Sequence, residues 1–410
     1  MAVSSALSSR LSFVVPHYWS ISKGKGTISS AARWHASEFS EVPTDASPFS
    51  SLYGKTLVSV RESIDAYQQQ HQQQQRQNSA EALCLPRVAF IDASWYHRPD
   101  PKTNIMRNPI NEFQTGPRIP FANYLDIDAL ATTFELFPDE NPLNLPHMMP
   151  PPSLFRLAMD AYGISNGDHI VIYAKRGAVF TPRTWFLFVS MYHDVKKVHL
   201  MQGSLEDWIE EGGNIESEPC ENLDRCFSKD YLDYFHNGIL NVAKLYASRN
   251  NFAAAVKYQV DSVKATHICD KDEVLQAVHN YLANQNNDNA SVNTVIVDTR
   301  GSGYKQNGHM PSAIHLPYRS LLNPENPLQM LSKAELQSIF TEKGINYQDP
   351  NLKIILSCGS GVSVCHGFLA LKLLGREISE DNTRVYDGSW KEWGRLEDDL
   401  PRILPHEINR

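Results

Sequence analysis

Ile354-Ile-Leu-Ser-Cys-Gly-Ser-Gly-Val-Ser363 passes from a short apolar segment straight into a glycine-rich turn. Val362, Cys365, Leu369 and Leu373 then follow at helical spacing. A strand that delivers a cysteine into a turn opening a helix predicts an α/β unit around a mostly parallel sheet. Working outward, the same pattern occurs upstream. Ile170–Tyr173 runs into Ala174-Lys-Arg-Gly-Ala-Val-Phe180, a similar turn without a thiol.

Three further landmarks recur in the same order, separated by about 180 to 205 positions. A strand ending in aspartate stands at Phe90–Asp92 and again at Val295–Asp298. Arg118-Ile-Pro followed by Leu125-Asp126-Ile127 is matched by His309-Met-Pro followed by Leu316-Pro317-Tyr318. Gly203-Ser204 with Trp208 is matched by Gly388-Ser389 with Trp393, and Gly163-Ile164 and Gly344-Ile345 precede the two thiol-position strands. Ordered recurrence of this kind predicts a duplicated domain. The two tryptophans read as packing anchors, and Arg183, at the start of a helix, reads as a residue reaching the domain boundary.

The composition agrees with two domains. The chain has 410 residues, 42% hydrophobic and 20% charged, with a net charge of −8. An acidic balance without a basic block argues against direct nucleic-acid binding. No apolar run approaches the ~18 residues of a membrane span, so no membrane partner is expected. Six cysteines without CxxC spacing form neither a disulfide framework nor a zinc motif, which predicts a reducing compartment.

Residues 1–37 lack Asp and Glu, and carry Arg10, Lys23, Lys25, Arg33 and many serines. That composition reads as a transit peptide, with mitochondrial import expected and a cytoplasmic or plastid address as the alternatives. Residues 38–87 read as an N-terminal extension, whose glutamine tract Gln68–Gln77 is expected to be a solvated insertion. The segment 219–291 reads as a linker with an insertion, ending near the Asn284–Asn289 patch. The two domains are expected over 88–218 and 292–400, with a tail at 401–410. Cys220 and Cys226 in the linker are candidates for a regulatory disulfide.

The two copies differ most at Ala174 and Cys358. Gly359 and Gly361 are expected to let the backbone take positive φ, so that N–H groups from Gly359, Ser360, Gly361, Val362 and Ser363 converge on one point. The helix that follows adds the positive end of its dipole there. Such a cradle favours an anionic sulfur, or a persulfide on Cys358. The alternative reading is an inert cysteine buried beside a tight turn. Cys365, two helical turns on, reads as core.

CGSGVS followed by Tyr386-Asp-Gly-Ser-Trp-Lys-Glu-Trp393 resembles the C-terminal domain of 3-mercaptopyruvate sulfurtransferases, in the tandem rhodanese superfamily. The resemblance extends over DASWY (Asp92–Tyr96), PRIP with LDID (Pro117–Asp128), TPRTW (Thr181–Trp185) and GHMPSA (Gly308–Ala313). PRIP and LPYRSLLNP look closest to the fungal branch, which includes proteins linked to tRNA wobble-uridine thiolation. It implies an α/β chain of two tandem rhodanese-like domains, each a mostly parallel sheet flanked by helices, the first inactive. It further implies that Cys358 is the nucleophile, taking sulfur from 3-mercaptopyruvate and passing it to a thiol such as thioredoxin or to cyanide. No metal or organic cofactor is implied. Thiosulfate-preferring members carry basic residues where Gly359 and Ser360 stand, so mercaptopyruvate is the expected donor.

Two features depart from the family. Its two carboxylate-binding arginines would fall in Gly301–Asn307, where Tyr304 takes the place of the first and the piece bearing the second is missing. Arg300, Lys305 and Arg319 are the candidate replacements, Arg300 having a structural ion pair as its alternative role. The histidine of the Ser-His-Asp relay proposed for animal members maps onto Arg118, so only Ser360 is carried over, and His309 in its turn reads as structural. A cysteine-dependent phosphatase would need an arginine at Val364. A relay protein, accepting persulfide from a desulfurase for another protein without turnover of its own, is the remaining rival.

Overall fold

Short runs such as Thr294–Asp298 and Lys353–Ser357 are apolar on both faces, as strands covered by helices on each side must be. In the computed structural model, which describes residues 49–76, 87–219, 226–227, 258–285 and 293–407, they lie at the centre of two parallel sheets. The first sheet has strands β1 (Leu57–Val58), β2 (Val88–Asp92), β3 (Asn123–Leu125), β4 (His169–Ala174), β5 (Val198–Ser204) and β6 (Cys226–Phe227), in the order β1-β5-β4-β2-β3-β6. The second has β7 (Ile268–Cys269), β8 (Thr294–Asp298), β9 (Ile314–His315), β10 (Lys353–Ser357) and β11 (Thr383–Tyr386), in the order β7-β11-β10-β8-β9. With β6 set aside, the two orders correspond strand for strand. The chain is a tandem duplication.

The shared landmarks have shared mechanics. Gly163 and Gly344 take φ of 62° and 68°, ending the helices Pro152–Tyr162 and Lys333–Glu342. Ile164 and Ile345 then fold back, donating to Met159 O and Phe340 O, and bury their side chains. This is the left-handed glycine cap that lets the next strand start beneath the helix. Trp208 and Trp393 are fully buried, each donating its indole N–H to a backbone carbonyl, of Asn214 and Pro401.

One apolar core crosses the domain boundary. Every residue of the helix Thr181–Ser190 is buried, because one side faces its own sheet and the other meets the helix Val364–Leu374. Phe186 packs edge-on against Phe368 with ring centroids 4.9 Å apart. The exchange also runs through loops. Leu328 of the second domain fills the thiol-less turn of the first, packing on Ala174 and Ala178, while Asn326 and Gln329 hydrogen-bond to Asp207 and Gln202.

Several expected boundaries move. The glutamine tract is solvent-facing but is not an insertion: Gln68 to Arg76 continue a helix, Val60–Arg76, that is anchored by buried Val60, Ile64 and Tyr67. Gln70 clasps the start of β2, its amide accepting from Val88 N and donating to Val88 O. Residues 57–76 therefore belong to the first domain rather than to an extension. Likewise β7 and the helix Lys271–Asn284, expected within the linker, belong to the second domain. Such two-residue edge strands leave no periodic signal; their partners β5 and β11 define them. The tail is tied down by an antiparallel bridge between His309 and Ile403. The leader 1–37, Cys220, the Cys226 side chain and most of the linker lie outside the described residues.

Three buried histidines make stability pH-dependent. His193 sits between Tyr258 Oη and Asp168 O, His199 between His169 and Lys55 O, and His366 between Ser363 O and Val179 O. Burial pushes each down to about 4. An unfolded histidine binds its proton near pH 6.5, so the unfolded chain gains protons first as pH falls. We expect stability to be full above pH 6.5 and to decline towards pH 4, each histidine contributing up to about 1.4 kcal/mol per pH unit. Denaturant midpoints at pH 7, 6 and 5 measure this; a flat profile would contradict it.

Candidate active site

β10 ends at Ser357, and Cys358 lies at the base of the turn with 1% of its surface exposed. Its backbone N–H donates to Ser389 Oγ at 3.0 Å, and that hydroxyl lies 3.8 Å from Cys358 Sγ. Trp390 N and Lys391 N donate to the carbonyls of Cys358 and Gly359, lacing the turn to the segment after β11. The helix Val364–Leu374 starts immediately after Ser363, so its N-terminus faces the cradle.

Of the two turn glycines, only Gly361 has positive φ, at 78°. A Cβ there would also fall 2.6 Å from Asp387 Oδ1 and 2.9 Å from Asp387 O. Gly359 has neither constraint, which corrects the expectation that both glycines take positive φ. Ser389 itself is left-handed, at φ 51°, and its Oγ stands 2.7 Å from Tyr386 O. Its counterpart Ser204 serves as an ordinary helix cap on Asp207 N. One landmark has thus diverged into a cap in one copy and a contact to the thiol residue in the other.

The first domain completes the site. The long loop between β3 and the helix Pro152–Tyr162 brings His147 Nδ1 to 3.0 Å from Ser360 Oγ. His147 Nε2 stands 2.8 Å from Asp128 Oδ1, and Trp95 Nε1 donates to Asp128 Oδ2 at 2.9 Å. Burial raises the Asp128 carboxyl, but the hydrogen bonds from His147 and Trp95 outweigh it and hold the group below the usual range. A carboxylate only accepts, so Nε2 carries the ring proton and Nδ1 accepts from the Ser360 hydroxyl. Ser360, His147 and Asp128 form a continuous line of hydrogen bonds able to move a proton, which ends on the turn that bears Cys358.

A family model described as a rhodanese-like domain matches residues 278–396. The mitochondrial thiosulfate/3-mercaptopyruvate sulfurtransferase 1 of Arabidopsis thaliana is 28% identical over 77% of this chain and 74% of its own. The 3-mercaptopyruvate sulfurtransferase of Escherichia coli strain K12 is 28% identical over 75% and 96%. Over about three quarters of its length the chain is similar to tandem-rhodanese sulfurtransferases. The crystal structure of Tum1 from Saccharomyces cerevisiae shares the fold of this tandem rhodanese, with a TM-score of 0.58 at 24% identity, covering 85% of this chain and 98% of its own.

The structure sorts the remaining candidates of this sulfurtransferase. Arg300 is buried and engaged: its guanidinium pairs with Asp298, donates to Gly303 O and Gly308 O, and stacks on Trp390. A buried fork committed to its own strand end has no pair of donors left to grip a substrate carboxylate bidentately, so that role is withdrawn from Arg300. In the shortened segment Tyr304 is sandwiched between His309 and His315, with ring centroids 4.0 and 4.3 Å away. The stack makes His309 structural. Lys305 is exposed on the short helix Gly303–Gln306. Arg319 is exposed, rests on the Tyr318 ring at 5.5 Å, and has no ion pair among the described residues. Cys365 is fully buried against Gly361 O, and burial pushes its thiol up to about 12.

Sequence reasoning missed His147 and Asp128: it mapped the relay histidine onto Arg118 and carried over no relay beyond Ser360. Arg118 is buried in an antiparallel bridge with Glu216, its guanidinium held by Phe113 O, the Glu216 carboxylate and Glu218 O. The available signal was loop length: a stretch from 126 to 151 without regular structure, bearing one histidine, is long enough to indicate function. Arg183 does reach across the domains, to Gly361 O and Asp387.

Gly361→Ala is expected to distort the cradle while the rest folds. Thiol labelling of Cys358 should change at least about tenfold, and stability should fall by about 1–3 kcal/mol. Wild-type labelling and melting would show that the turn tolerates a Cβ.

Proposed function

We propose that this sulfurtransferase takes sulfur from 3-mercaptopyruvate, releases pyruvate and passes the sulfur from a Cys358 persulfide to a thiol acceptor such as thioredoxin, or to cyanide. The observation that carries the reading is the Ser360–His147–Asp128 line, which ends on the turn of Cys358. Sulfite leaves thiosulfate as a stable dianion and needs no proton. The enolate left when mercaptopyruvate loses sulfur does need one.

The steps balance without an added oxidant or cofactor. Cys358 sulfur attacks the substrate sulfur as the carbon–sulfur bond breaks, giving a persulfide and the enolate of pyruvate. The proton lost from the Cys358 thiol is returned to the enolate carbon through Ser360 and His147, whose transient imidazolium Asp128 stabilises. The acceptor thiol then attacks the outer sulfur and restores the Cys358 thiol. Covalent transfer of this kind predicts ping-pong kinetics. Backbone N–H groups from Gly359 to Ser363 hold the outer sulfur. The turn lacks the basic side chains that would suit a dianion, which also favours mercaptopyruvate.

Arg319 is the cation we assign to the substrate carboxylate. Tyr318 N donates to Thr299 O, and Thr299 Oγ1 lies 3.4 Å from Ser363 Oγ, which anchors that turn beside the cradle. Lys305 is the second candidate. The acid-free leader, together with the mitochondrial relative, supports a mitochondrial address. The alternatives are thiosulfate sulfurtransfer and a persulfide relay for tRNA thiolation, the latter favoured by the engagement of Arg300.

With mercaptopyruvate and a thiol acceptor, pyruvate should be released and Cys358 should gain one sulfur by mass. Cys358→Ser should abolish both. His147→Asn should lower pyruvate kcat about 10²-fold or more while sparing sulfur loading from thiosulfate, and Arg319→Gln should raise KM about tenfold. Loading from thiosulfate alone would make the protein a thiosulfate sulfurtransferase. Loading from neither donor would favour the relay.

A further inference from the structure

We propose that Arg183 and Asp387 are positioning residues that set the Ser360–His147 contact from the domain boundary. The inference rests on the relay role given to His147 above, and assigns the pair that holds the relay in line.

His147 is left-handed, with φ 60°, a conformation that a residue with a Cβ keeps only when its surroundings impose it. Here the backbone is held at two successive points just after its Cα. Arg183 Nη2 donates to the His147 carbonyl. Met149 N, two residues on, donates to Asp387 Oδ2 at 2.6 Å. The other half of the contact is held by the same pair. Arg183 Nη1 donates to Gly361 O at 2.9 Å, directly after Ser360, and to Asp387 Oδ1 at 3.0 Å. Arg183 and Asp387 are 1% and 3% exposed, so neither has solvent as a substitute partner.

The chemistry demands this arginine and this carboxylate. A planar guanidinium reaches His147 O, Gly361 O and Asp387 at once, which a lysine ammonium on a flexible stem does not reproduce. A carboxylate accepts from both Arg183 and Met149; an asparagine in its place would turn a donor towards one of them. The loop bearing His147 and the turn bearing Ser360 come from different domains, so the pair converts domain apposition into the alignment of one hydrogen bond.

The test is a double-mutant cycle on the full chain with Asp387→Asn and His147→Asn, and Arg183→Lys as a second route to the same loss. Asp387→Asn should lower kcat for pyruvate release about 10- to 100-fold, with KM and thiosulfate loading changed less than about threefold. In the His147→Asn background it should cost less than about threefold, because the contact it supports is already gone. Losses that multiply, or that fall equally on both donors, would make the pair merely structural. Ring 15N shifts of His147 give a readout independent of turnover. They should show a protonated Nε2 and a bare Nδ1 in the wild type, and a mixture of tautomers in Asp387→Asn and Arg183→Lys. An unchanged ring in the variants would overturn the proposal even if pyruvate were released. Altered ring shifts in a protein that turns over no donor would leave the clamp standing while removing the enzyme reading.

Discussion

A helix with no exposed residue, Thr181–Ser190, is the constraint on which the rest of this protein depends. Being buried on both sides, it makes one core of two domains, and it carries Arg183 into that core. A guanidinium removed from water is tolerable only when its donors are met; losing one partner of such a pair costs on the order of 3–5 kcal/mol. Asp387, Gly361 O and His147 O meet them, and each belongs to the active-site surroundings. The requirement to satisfy one buried charge therefore fixes where the Cys358 turn, the segment after β11 and the His147 loop stand relative to each other.

The duplication explains the asymmetry of the site. Each domain lends the other a loop at the same topological place, after its third sheet strand in chain order. The first domain lends His147 to the Cys358 turn; the second lends Leu328 to the turn at Ala174. A methyl group at 174 leaves room for Leu328. One ancestral cradle has become a docking socket while the other has kept its thiol. The thiol-less turn of the first copy and the Cys358 turn of the second each receive a loop of the other domain, so neither domain forms the candidate site alone.

Much of this was legible in local sequence, and the misses share a cause. The strand–turn–helix unit at Ile354–Ser363 announced itself because its signals lie within a few residues of each other. The buried tryptophans and the Gly-Ile helix ends were legible for the same reason. The glutamine tract was misread because composition there is polar, whereas the helix is set by Val60, Ile64 and Tyr67 just before it, and by Gln70 finding Val88. His147 was missed because it lies 213 positions from Ser360, and Arg118 occupied the turn where local matching placed the relay.

The sequence by itself determined the α/β class, the tandem repeat, and Cys358 in its cradle, because periodicity and turn chemistry act over a few neighbouring residues. Only the tertiary structure decided which histidine meets Ser360, which arginine is free and which is tied, and where each domain begins. The first and the last depend on which groups meet across the boundary or along a sheet edge: His147 lies 213 positions from Ser360 and edge strands exist only beside their partners, whereas Arg300 finds Asp298, Gly303 O and Gly308 O locally. Pairings of that kind are set by packing between segments hundreds of residues apart, for which a single chain carries no local mark.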